Sequence, residues 1–413
     1  MKLFYNIKIT NIFSYLFVWR RRQQIILDVR MEIYMKFTCD RQALLQAAST
    51  AARASSPKSP IPALEGLLLE ATERGMVRIT GYDLKTGIVS ETEAHVPESG
   101  DIVVNARLFG DIIRRLPGDQ VTISVGSSGT TTRIECGDTA YDIVGTSAID
   151  YPALPVPDGQ TALFIDGVTL RDMLSQTTFA VSDNESRPAL TGALFEAEGE
   201  TLTVVAVDGF RLALRREKLV KPTENTMFIV PGAALHEVER IVSAAVSEEV
   251  CILIGDKHIT FKTGDTLLIS RRLEGEFIDY RRAIPRDERY SLAASRRDLE
   301  HAVDRVSLII SDKVKSPVRC IFASDHVSLL TISAHGRASD ECELAGDCEK
   351  MEIGFNNRYL LDALRAAPAE NIMLCLTSPI QPCVIVPQDP EDDSFQYMVL
   401  PVRLGGAEVR SEG

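Results

Sequence analysis

The sequence is poor in aromatic residues and in the motifs that build common enzyme sites. Of its 413 residues one is Trp, and aromatic residues make up 6% of the chain. No GxGxxG follows an apolar run, no GxSxG occurs, and the six His residues are dispersed. The Gly-rich stretch VGSSGTTTR at 125–133 lacks the GKS or GKT ending of a phosphate loop, so we interpret it as a turn between two strands. The sequence therefore gives no support for nucleotide-dependent or Ser-dependent catalysis.

Two charged stretches match catalytic motifs only in part. HEVER at 236–240 begins like a zinc-protease helix, but Arg240 stands where the second His belongs. The acids Glu391, Asp392 and Asp393 lie in a polar loop without a neighbouring base or nucleophile. We interpret both stretches as solvated charge, and we predict no catalytic residue, no metal and no cofactor.

The eight cysteines form no CxxC pair, and no His lies at metal-ligand spacing from them. In a long chain, scattered cysteines of this kind are typical of reduced core residues in a cytoplasmic protein. They are Cys39, Cys136, Cys251, Cys320, Cys342, Cys348, Cys375 and Cys383.

The sequence also lacks a membrane-spanning run. The apolar run Ile9–Trp19 contains three polar residues and is too short to cross a bilayer, and an Arg cluster follows it where a signal peptide has its basic part first. Residues 1–34 hold six Lys or Arg and two acids, so they contribute +4 to the total of −13 and leave −17 for the rest. A fresh Met-Lys-Phe follows at Met35–Phe37. We therefore expect 1–34 to be an upstream start or a dispensable extension, with a surface anchor as the alternative, and 405–413 to be a flexible tail.

The remaining composition is that of a globular protein, with 45% hydrophobic and 25% charged residues. A chain of this length exceeds one ordinary core, which predicts two to four domains. The net charge of −13 argues against a nucleic acid as partner for the molecule as a whole, although a local basic surface can override this field.

An internal repeat divides the chain. Three similar segments begin at Pro62, Pro188 and Pro317, which lie 126 and 129 residues apart. Each follows a stretch with apolar residues at helical spacing, and each precedes a strand that leads into a second helical stretch. We therefore predict an α+β fold of three tandem domains, each with two helices packed on antiparallel sheets. The predicted boundaries are 35–159, 160–286 and 287–404.

The pair Asp208 and Arg211, in TVVAVDGFRLAL at 203–214, is open to two interpretations. An acid three residues before a cation could be a catalytic acid with its positioning group. An Asp-Gly between alternating apolar runs is also a strong hairpin signal. The first repeat has Tyr82-Asp83-Leu84-Lys85 at the equivalent place, which favours architecture over catalysis.

Five motifs together resemble the bacterial DNA polymerase III beta subunit family, the sliding clamps. They are MKFTCDRQALLQA from Met35, the DG-RLA of 208–213, DYRRAIP at 279–285, MEIGFNNRYLLDAL at 351–364 and YMVLPVRL at 397–404. The resemblance runs in order from Met35 to Leu404. It implies a non-catalytic accessory subunit that forms a head-to-tail homodimeric ring, with helices lining the hole and sheets forming the outer wall.

The resemblance also implies partners. Double-stranded DNA would pass through the ring without being read for sequence, which favours phosphate contacts over base contacts. The protein partners would be the DNA polymerase III alpha subunit, the clamp loader and other proteins with a clamp-binding motif. The candidate DNA-facing cations are Lys58, Arg107, Arg114, Arg115, Arg171, Arg240, Arg296, Arg297, Lys313, Lys315, Arg358 and Arg365.

A groove between the second and third domains would bind partner peptides that carry a Gln and apolar or aromatic side chains. Its residues by motif are Arg187, Leu190, Gly209, Phe210, Arg211, Leu212, Ile278, Arg282, Ala283, Asn356, Tyr359, Ile380, Pro382, Met398 and Leu400. Apolar walls with a few polar groups suit peptide binding. Phe210 stands where the family usually has His, and Ile278 where it usually has Pro. Pro188-Ala189 replaces a Tyr pair that helps hold DNA in some members, so that role is not carried over.

At the ring seam, Tyr141 and Ile143 would face Ile309 and Ile310 of the second copy, since apolar content suits a persistent interface. Two alternatives remain at this point. One is an enzyme with a site at Asp208 and Arg211, and the other is a repeat scaffold that binds no DNA.

Overall fold

The computed structural model describes residues 33–126, 129–156, 161–244, 248–285, 287–311 and 316–404. These form two compact units. The first comprises the described residues up to Asp83 together with Ile88–Ala153, and the second comprises Leu84–Gly87 and the described residues from Leu154 onward. The predicted extension, apart from Ile33 and Tyr34, and the predicted tail lie outside the described residues. In the described part of the chain, no helix is both long enough and apolar enough for a membrane span.

The helices lie where the repeat predicts them, two in each repeat. Side chains of Asp40, Asn105, Asp166, Ser295 and Asn356 accept backbone N–H groups at helix starts, which satisfies donors that the helix leaves unpaired. The helices of the described residues are α1 (Arg41–Ala51), α2 (Ala106–Arg115), α3 (Gly167–Ser175), α4 (Gly232–Ala244), α5 (Tyr280–Ala283), α6 (Arg296–Ser307) and α7 (Asn357–Ala366). The short α5 belongs to the connector between the second and third repeats.

The first unit contains one antiparallel sheet that supports α1 and α2. Its strands are β1 (Ile33–Asp40), β2 (Gly66–Thr72), β3 (Met76–Tyr82), β4 (Thr86–Glu93, entering this unit at Ile88), β5 (His95–Glu98), β6 (Gly100–Asn105), β7 (Gln120–Gly126), β8 (Thr131–Cys136) and β9 (Thr139–Thr146). Their order within the unit is β4-β3-β2-β6-β9-β8-β7-β1-β5. Phe37, Leu44, Phe109 and Ile113 lie in its fully buried core, so both helices hold their apolar faces against the sheet. Of the predicted turn 125–133, the two ends belong to β7 and β8, and residues 127 and 128 lie outside the described residues.

The second unit contains the second and third repeats. Its strands are β10 (Thr161–Asp166), β11 (Gly192–Val207), β12 (Arg211–Pro231), β13 (Glu249–Ile254), β14 (His258–Thr263), β15 (Thr266–Arg271), β16 (Tyr290–Ser295), β17 (Val318–Phe322), β18 (His326–Ser333), β19 (Gly336–Ala345), β20 (Met351–Phe355), β21 (Asn371–Leu376), β22 (Cys383–Pro387) and β23 (Phe395–Val399). Strands β10-β13-β14-β15 are hydrogen-bonded in that order. The other ten strands form a second sheet, in which the strand order is β11-β12-β23-β22-β21-β16-β19-β18-β17-β20.

The two repeats of this unit join where β12 pairs with β23. The register runs antiparallel from Arg211 opposite Val399 to Arg215 opposite Phe395. Leu212 and Met398 are therefore opposite each other, and both belong to one buried cluster. This junction places the turn at Asp208 beside the last strand of the third repeat.

Candidate functional site

The stretch Asp208–Arg211 is a tight hairpin turn, as predicted. The Asp208 Oδ1 atom accepts the backbone N–H of Phe210 at 2.8 Å and that of Arg211 at 3.0 Å. Gly209 has φ +92°, a left-handed conformation that favours Gly over residues with a Cβ atom. The Asp208 side chain therefore serves the turn.

Arg211 ties this turn to α7 of the third repeat. Its side chain is 12% exposed and pairs with Asp208 at 2.9 Å and with Asp362. The guanidinium carbon lies 4.6 Å from the ring centre of Tyr359 and 5.3 Å from that of Phe179. Two carboxylates and two aromatic rings hold one cation, an arrangement that fixes position. The Asp208–Arg211 pair is thus accounted for by structure, and the alternative of an enzyme site loses its motivation.

Phe210 forms an exposed aromatic wall beside this tie. The residue is 58% exposed, and its ring stacks on Tyr359 with ring centres 5.9 Å apart and planes 21° apart. The Phe210 carbonyl accepts the backbone N–H of Leu400 at 2.9 Å. Phe210 and Leu400 are therefore held together across the junction between the second and third repeats.

The floor beside this wall is apolar. Leu212 and Met398 are 1% and 5% exposed, and the half-buried Leu400 packs against their cluster. Tyr280 of the connector belongs to the same cluster, and its hydroxyl donates to Glu196 at 2.5 Å. Arg281 also pairs with Glu196, at 2.8 Å, so the connector is anchored firmly over the sheet. Burial and the hydrogen bond to Glu196 raise the pKa of Tyr280.

The remaining predicted groove residues lie around this floor or farther out on the surface. Ile278 is 38% exposed, and Ile380 is 86% exposed. Arg282 is highly exposed and pairs with Asp279 at 2.9 Å. The Asn356 oxygen caps α7 by accepting the Arg358 N–H at 3.0 Å, which leaves its NH₂ group as the donor. Leu190 is buried, Pro382 is half-buried, and Arg187, Gly209 and Ala283 are exposed.

Two members of the site were missed at the level of sequence, Asp362 and Phe179. Asp362 lies three residues after Tyr359 on α7, a spacing that places both on one helix face. That spacing could have drawn attention to Asp362. Phe179 lies in a short 3₁₀ turn after α3, and no local pattern points from it to Arg211.

The candidate DNA-facing cations are mostly exposed and lie mostly on or beside the paired helices. Arg114 and Arg115 share Asp111 at the end of α2, and Arg365 pairs with Glu300 and Asp304 of α6. Arg296 differs, because it bonds the carbonyls of Leu364 and Ala369 and pairs with Glu300. Exposed side chains also belong to Lys58, Arg107, Arg240, Arg297 and Arg358, and Arg171 pairs with Asp172. Lys313 and Lys315 lie outside the described residues.

The candidate seam residues have different surroundings. Tyr141 is 39% exposed, whereas Ile143 is 8% exposed and lies in the core of the first unit. Ile309 and Ile310 are half-buried after α6, and the Ser333 hydroxyl donates to the Ile309 carbonyl at 2.7 Å. Tyr141, Ile309 and Ile310 thus keep accessible apolar surface.

The eight cysteines are free thiols; seven are buried, as expected of core residues, whereas Cys251 is half-buried. Burial raises the pKa of Cys39 and of Cys320 to about 12, so both stay protonated and unreactive at neutral pH. Within the described ranges, no three His, Cys, Asp or Glu side chains come together as a metal site.

Comparison with known proteins covers almost the whole chain. Models of the N-terminal, central and C-terminal domains of the DNA polymerase III beta subunit match residues 35–155, 165–279 and 281–403. Beta sliding clamps of Staphylococcus epidermidis and Staphylococcus aureus are 30% identical over 380 residues, which cover 89% of this chain and 99% of theirs.

Solved structures agree with the sequence matches. A DNA polymerase sliding clamp from Bacillus subtilis superposes with a TM-score of 0.85 at 30% identity, over 90% of this chain and 100% of that one. A sliding clamp from Pseudomonas aeruginosa bound to griselimycin superposes with a TM-score of 0.84 at 28% identity, with the same coverage. The chain therefore belongs to the DNA polymerase III beta subunit family, the beta sliding clamps, whose members are non-catalytic processivity factors of DNA replication.

Proposed function

We propose that two copies of this chain close head to tail into a ring around duplex DNA, and that the ring tethers the replicative polymerase in the cytoplasm. The observation that carries the proposal is a pair of strand edges, one in the first repeat and one in the third. These two edges are the repeat equivalents of the two strands that pair at the junction inside the second unit.

That junction pairs two defined kinds of strand. β12 follows the turn at Asp208–Gly209, and β23 is the last strand of the next repeat. By the internal repeat, the equivalent of β12 in the third repeat is β19, which begins at the turn of His335 and Gly336. The equivalent of β23 in the first repeat is β9.

Both equivalents have open edges within the described residues. β19 pairs with β18 along residues 336–343, and on its other edge it meets β16 only at Leu344 and Ala345. β9 pairs with β8 along residues 139–144, and it meets β6 only at Gly145 and Thr146. An unpaired edge is a template for another strand. Each copy thus carries both halves of one further junction, which suits a heterologous contact that closes into a ring.

The helical cations supply the attraction for DNA. Exposed Arg side chains on or beside α2, α4, α6 and α7 contact phosphates without regard to sequence, and a closed ring needs no tight binding to remain on DNA. The acidic balance of the whole chain discourages nucleic acid from binding elsewhere on the surface.

The groove supplies the attachment for protein partners. Phe210, Tyr359 and Leu400 form its aromatic and apolar wall over the floor of Leu212 and Met398. These features suit peptides from the polymerase alpha subunit, the clamp loader and other proteins with a clamp-binding motif, because apolar anchors need such pockets.

Ring closure and DNA retention test this proposal together. We expect the full chain to have a dimeric mass in solution and to be retained on nicked circular DNA but released when the DNA is linearised. The double variant Tyr141→Lys and Ile309→Lys introduces charges at the proposed seam. It should be a folded monomer that is not retained on nicked circular DNA.

The matched control is Val220→Lys with Met227→Lys, since both residues are exposed and apolar and lie on β12 far along the chain from either open edge. It should stay dimeric and be retained. A monomeric wild-type chain, or retention that survives linearisation, would contradict the ring.

A further inference from the structure

A second depression lies in the second unit, on the sheet face that also forms the floor of the groove. It is a cavity of about 440 Å³ lined by residues of β21 and β22, by the loop after β22, and by Arg216 of β12, Pro285 and Glu288. Pro285 follows the connector that is anchored by Tyr280. None of the groove residues assigned from the family motifs lines this cavity.

The floor of this cavity is apolar and continuous with that of the groove. Met373 lies opposite Val386, and Cys375 lies opposite Val384, across β21 and β22. Val384 in turn lies opposite Met398 of the groove. Burial raises the pKa of the Cys375 thiol, so this part of the floor is uncharged at neutral pH.

The rim of the cavity is strongly acidic. Among its described lining residues, the carboxylates of Glu288, Asp389, Asp392 and Asp393 face one cation, Arg216. Arg216 is already bound to Asp393 through an ion pair, and to the Asp393 carbonyl at 3.1 Å. Three carboxylates of the described lining therefore have no cationic partner within it.

The acids are held in place by the loop that carries them. The Asp389 Oδ1 atom accepts the Glu391 N–H at 3.0 Å, and the Asp392 Oδ1 atom accepts the Ser394 N–H at 2.9 Å. The Asp392 N–H donates to the Asp389 carbonyl at 3.1 Å. The hydrogen bond from Ser394 holds the pKa of Asp392 below its usual value, which keeps the carboxylate ionised at neutral pH.

We propose that this acid-rimmed cavity is a second docking site, which takes a Lys or Arg side chain of a client protein whose peptide occupies the neighbouring groove. A long basic side chain lays its aliphatic stem on apolar surface and keeps its charged end at the rim. The apolar floor, the excess of carboxylates and the shared floor with the groove all match such an occupant. The inference rests on the proposed function, because the client is brought by its groove peptide.

The test compares two labelled peptides on the full chain by fluorescence anisotropy. Both carry one Gln and two apolar or aromatic anchors, and both are extended at each end, one with Lys-Gly-Lys and the other with Ser-Gly-Ser. We expect the Lys-extended peptide to bind roughly fivefold tighter at low salt, a typical gain for partly exposed ion pairs. The gain should vanish at high salt, since salt screens exposed charges.

The deciding variant is Asp389→Asn with Asp392→Asn, which removes two rim charges and keeps the hydrogen-bond acceptors of the loop. It should lose the gain for the Lys-extended peptide and bind the Ser-extended peptide as before. The matched control is Glu391→Gln, because Glu391 lies in the same loop and outside the cavity lining. The Glu391 variant should keep the gain in affinity. Glu288→Gln should reduce that gain, because Glu288 is a rim carboxylate that lies on a different segment of the chain.

Equal binding of the two peptides by the wild-type chain would overturn the second site while leaving the groove intact. A gain that persists in the Asp389/Asp392 variant would also overturn it, since the attraction would then come from the overall acidic charge. Failure of the wild-type chain to bind either peptide would instead refute the groove, and the second site with it.

Discussion

Two hairpin turns of the second unit occupy equivalent positions in their repeats and have different surroundings. Asp208 and Gly209 lead into β12, whose first residues are covered by β23. His335 precedes β19 and Gly336 begins it, and the first residues of this strand pair only with β18 in the described part of the chain. Both glycines have positive φ, +92° and +135°. The turn is thus a property of the repeat, whereas the surroundings of Phe210 depend on the strand and helix that the next repeat supplies.

The largest expected effect comes from removing the contacts of Arg211 at the Asp208–Gly209 turn, which β23 covers. Arg211→Ala should lower the free energy of unfolding by about 3 kcal/mol, because it leaves Asp208 and Asp362 without the cation between them. Urea denaturation followed by circular dichroism measures the loss. Arg337→Ala at the open turn should change stability by no more than about 0.5 kcal/mol, since that side chain is exposed. Similar losses in both variants would show that the coverage by β23 and α7 is unimportant.

The next effect addresses the turn itself. Gly209→Ala should cost about 1 to 2 kcal/mol, because an L-residue is strained at φ +92°. No heavy atom lies within 4 Å of the added Cβ atom, so the cost is one of backbone conformation alone. Gly336→Ala also has open space and should cost a comparable amount. A thermal melt of each variant measures this cost. A large difference between the two losses in melting temperature would mean that neighbouring strands and helices, rather than the repeat itself, determine the conformation of the turn.

A smaller effect concerns the candidate groove wall. Phe210→Ala removes an exposed ring that we expect to pack against an aromatic or apolar anchor of the peptide, and an aromatic contact of this kind is worth about 1 kcal/mol. Affinity for a groove peptide should fall about fivefold while the dimeric mass is unchanged. Arg337→Ala, at the repeat-equivalent position, should leave peptide affinity unaltered. Unchanged affinity of the Phe210 variant would place the peptide elsewhere.

The smallest effect lies at the equivalent turn of the first repeat. Leu84 has φ +73°, a conformation that is unfavourable for Leu, and the residue is 48% exposed. Leu84→Asn should therefore raise the free energy of unfolding by about 0.5 kcal/mol, because Asn tolerates this conformation and little apolar burial is lost. A calorimetric scan checks the sign, and a lower melting temperature would show that Leu84 is held by contacts of its own.

The features predicted correctly from sequence are those with local or periodic causes. Paired helices, alternating strands and the Asp208–Gly209 turn each leave a pattern within a few residues, and three repeats show the pattern three times. The partner of Arg211 could not be predicted in this way, because Asp362 is 151 residues away. The same limit applies to the burial of Ile143, since Tyr141 and Ile143 share a face of β9 and only one of them is covered by the core.

The Phe210 position shows a different limit. Family resemblance predicts that Phe210 belongs to a groove wall and stands in place of the usual His, but it does not predict what the ring contacts. The stack on Tyr359 depends on the position of α7, which is set by packing in the third repeat. A sequence pattern predicts which surface a residue belongs to more readily than which neighbour it meets there.

The open edges of β9 and β19 have a consequence for assembly size. In the proposed assembly each copy brings one edge of each kind, so the addition of a copy closes one junction and again leaves one edge of each kind open. Strand pairing alone therefore sets the direction of growth and leaves the number of copies free. The number must come from the angle turned at each junction, and a substitution that changes that angle without weakening the pairing would convert a closed ring into an open helical filament.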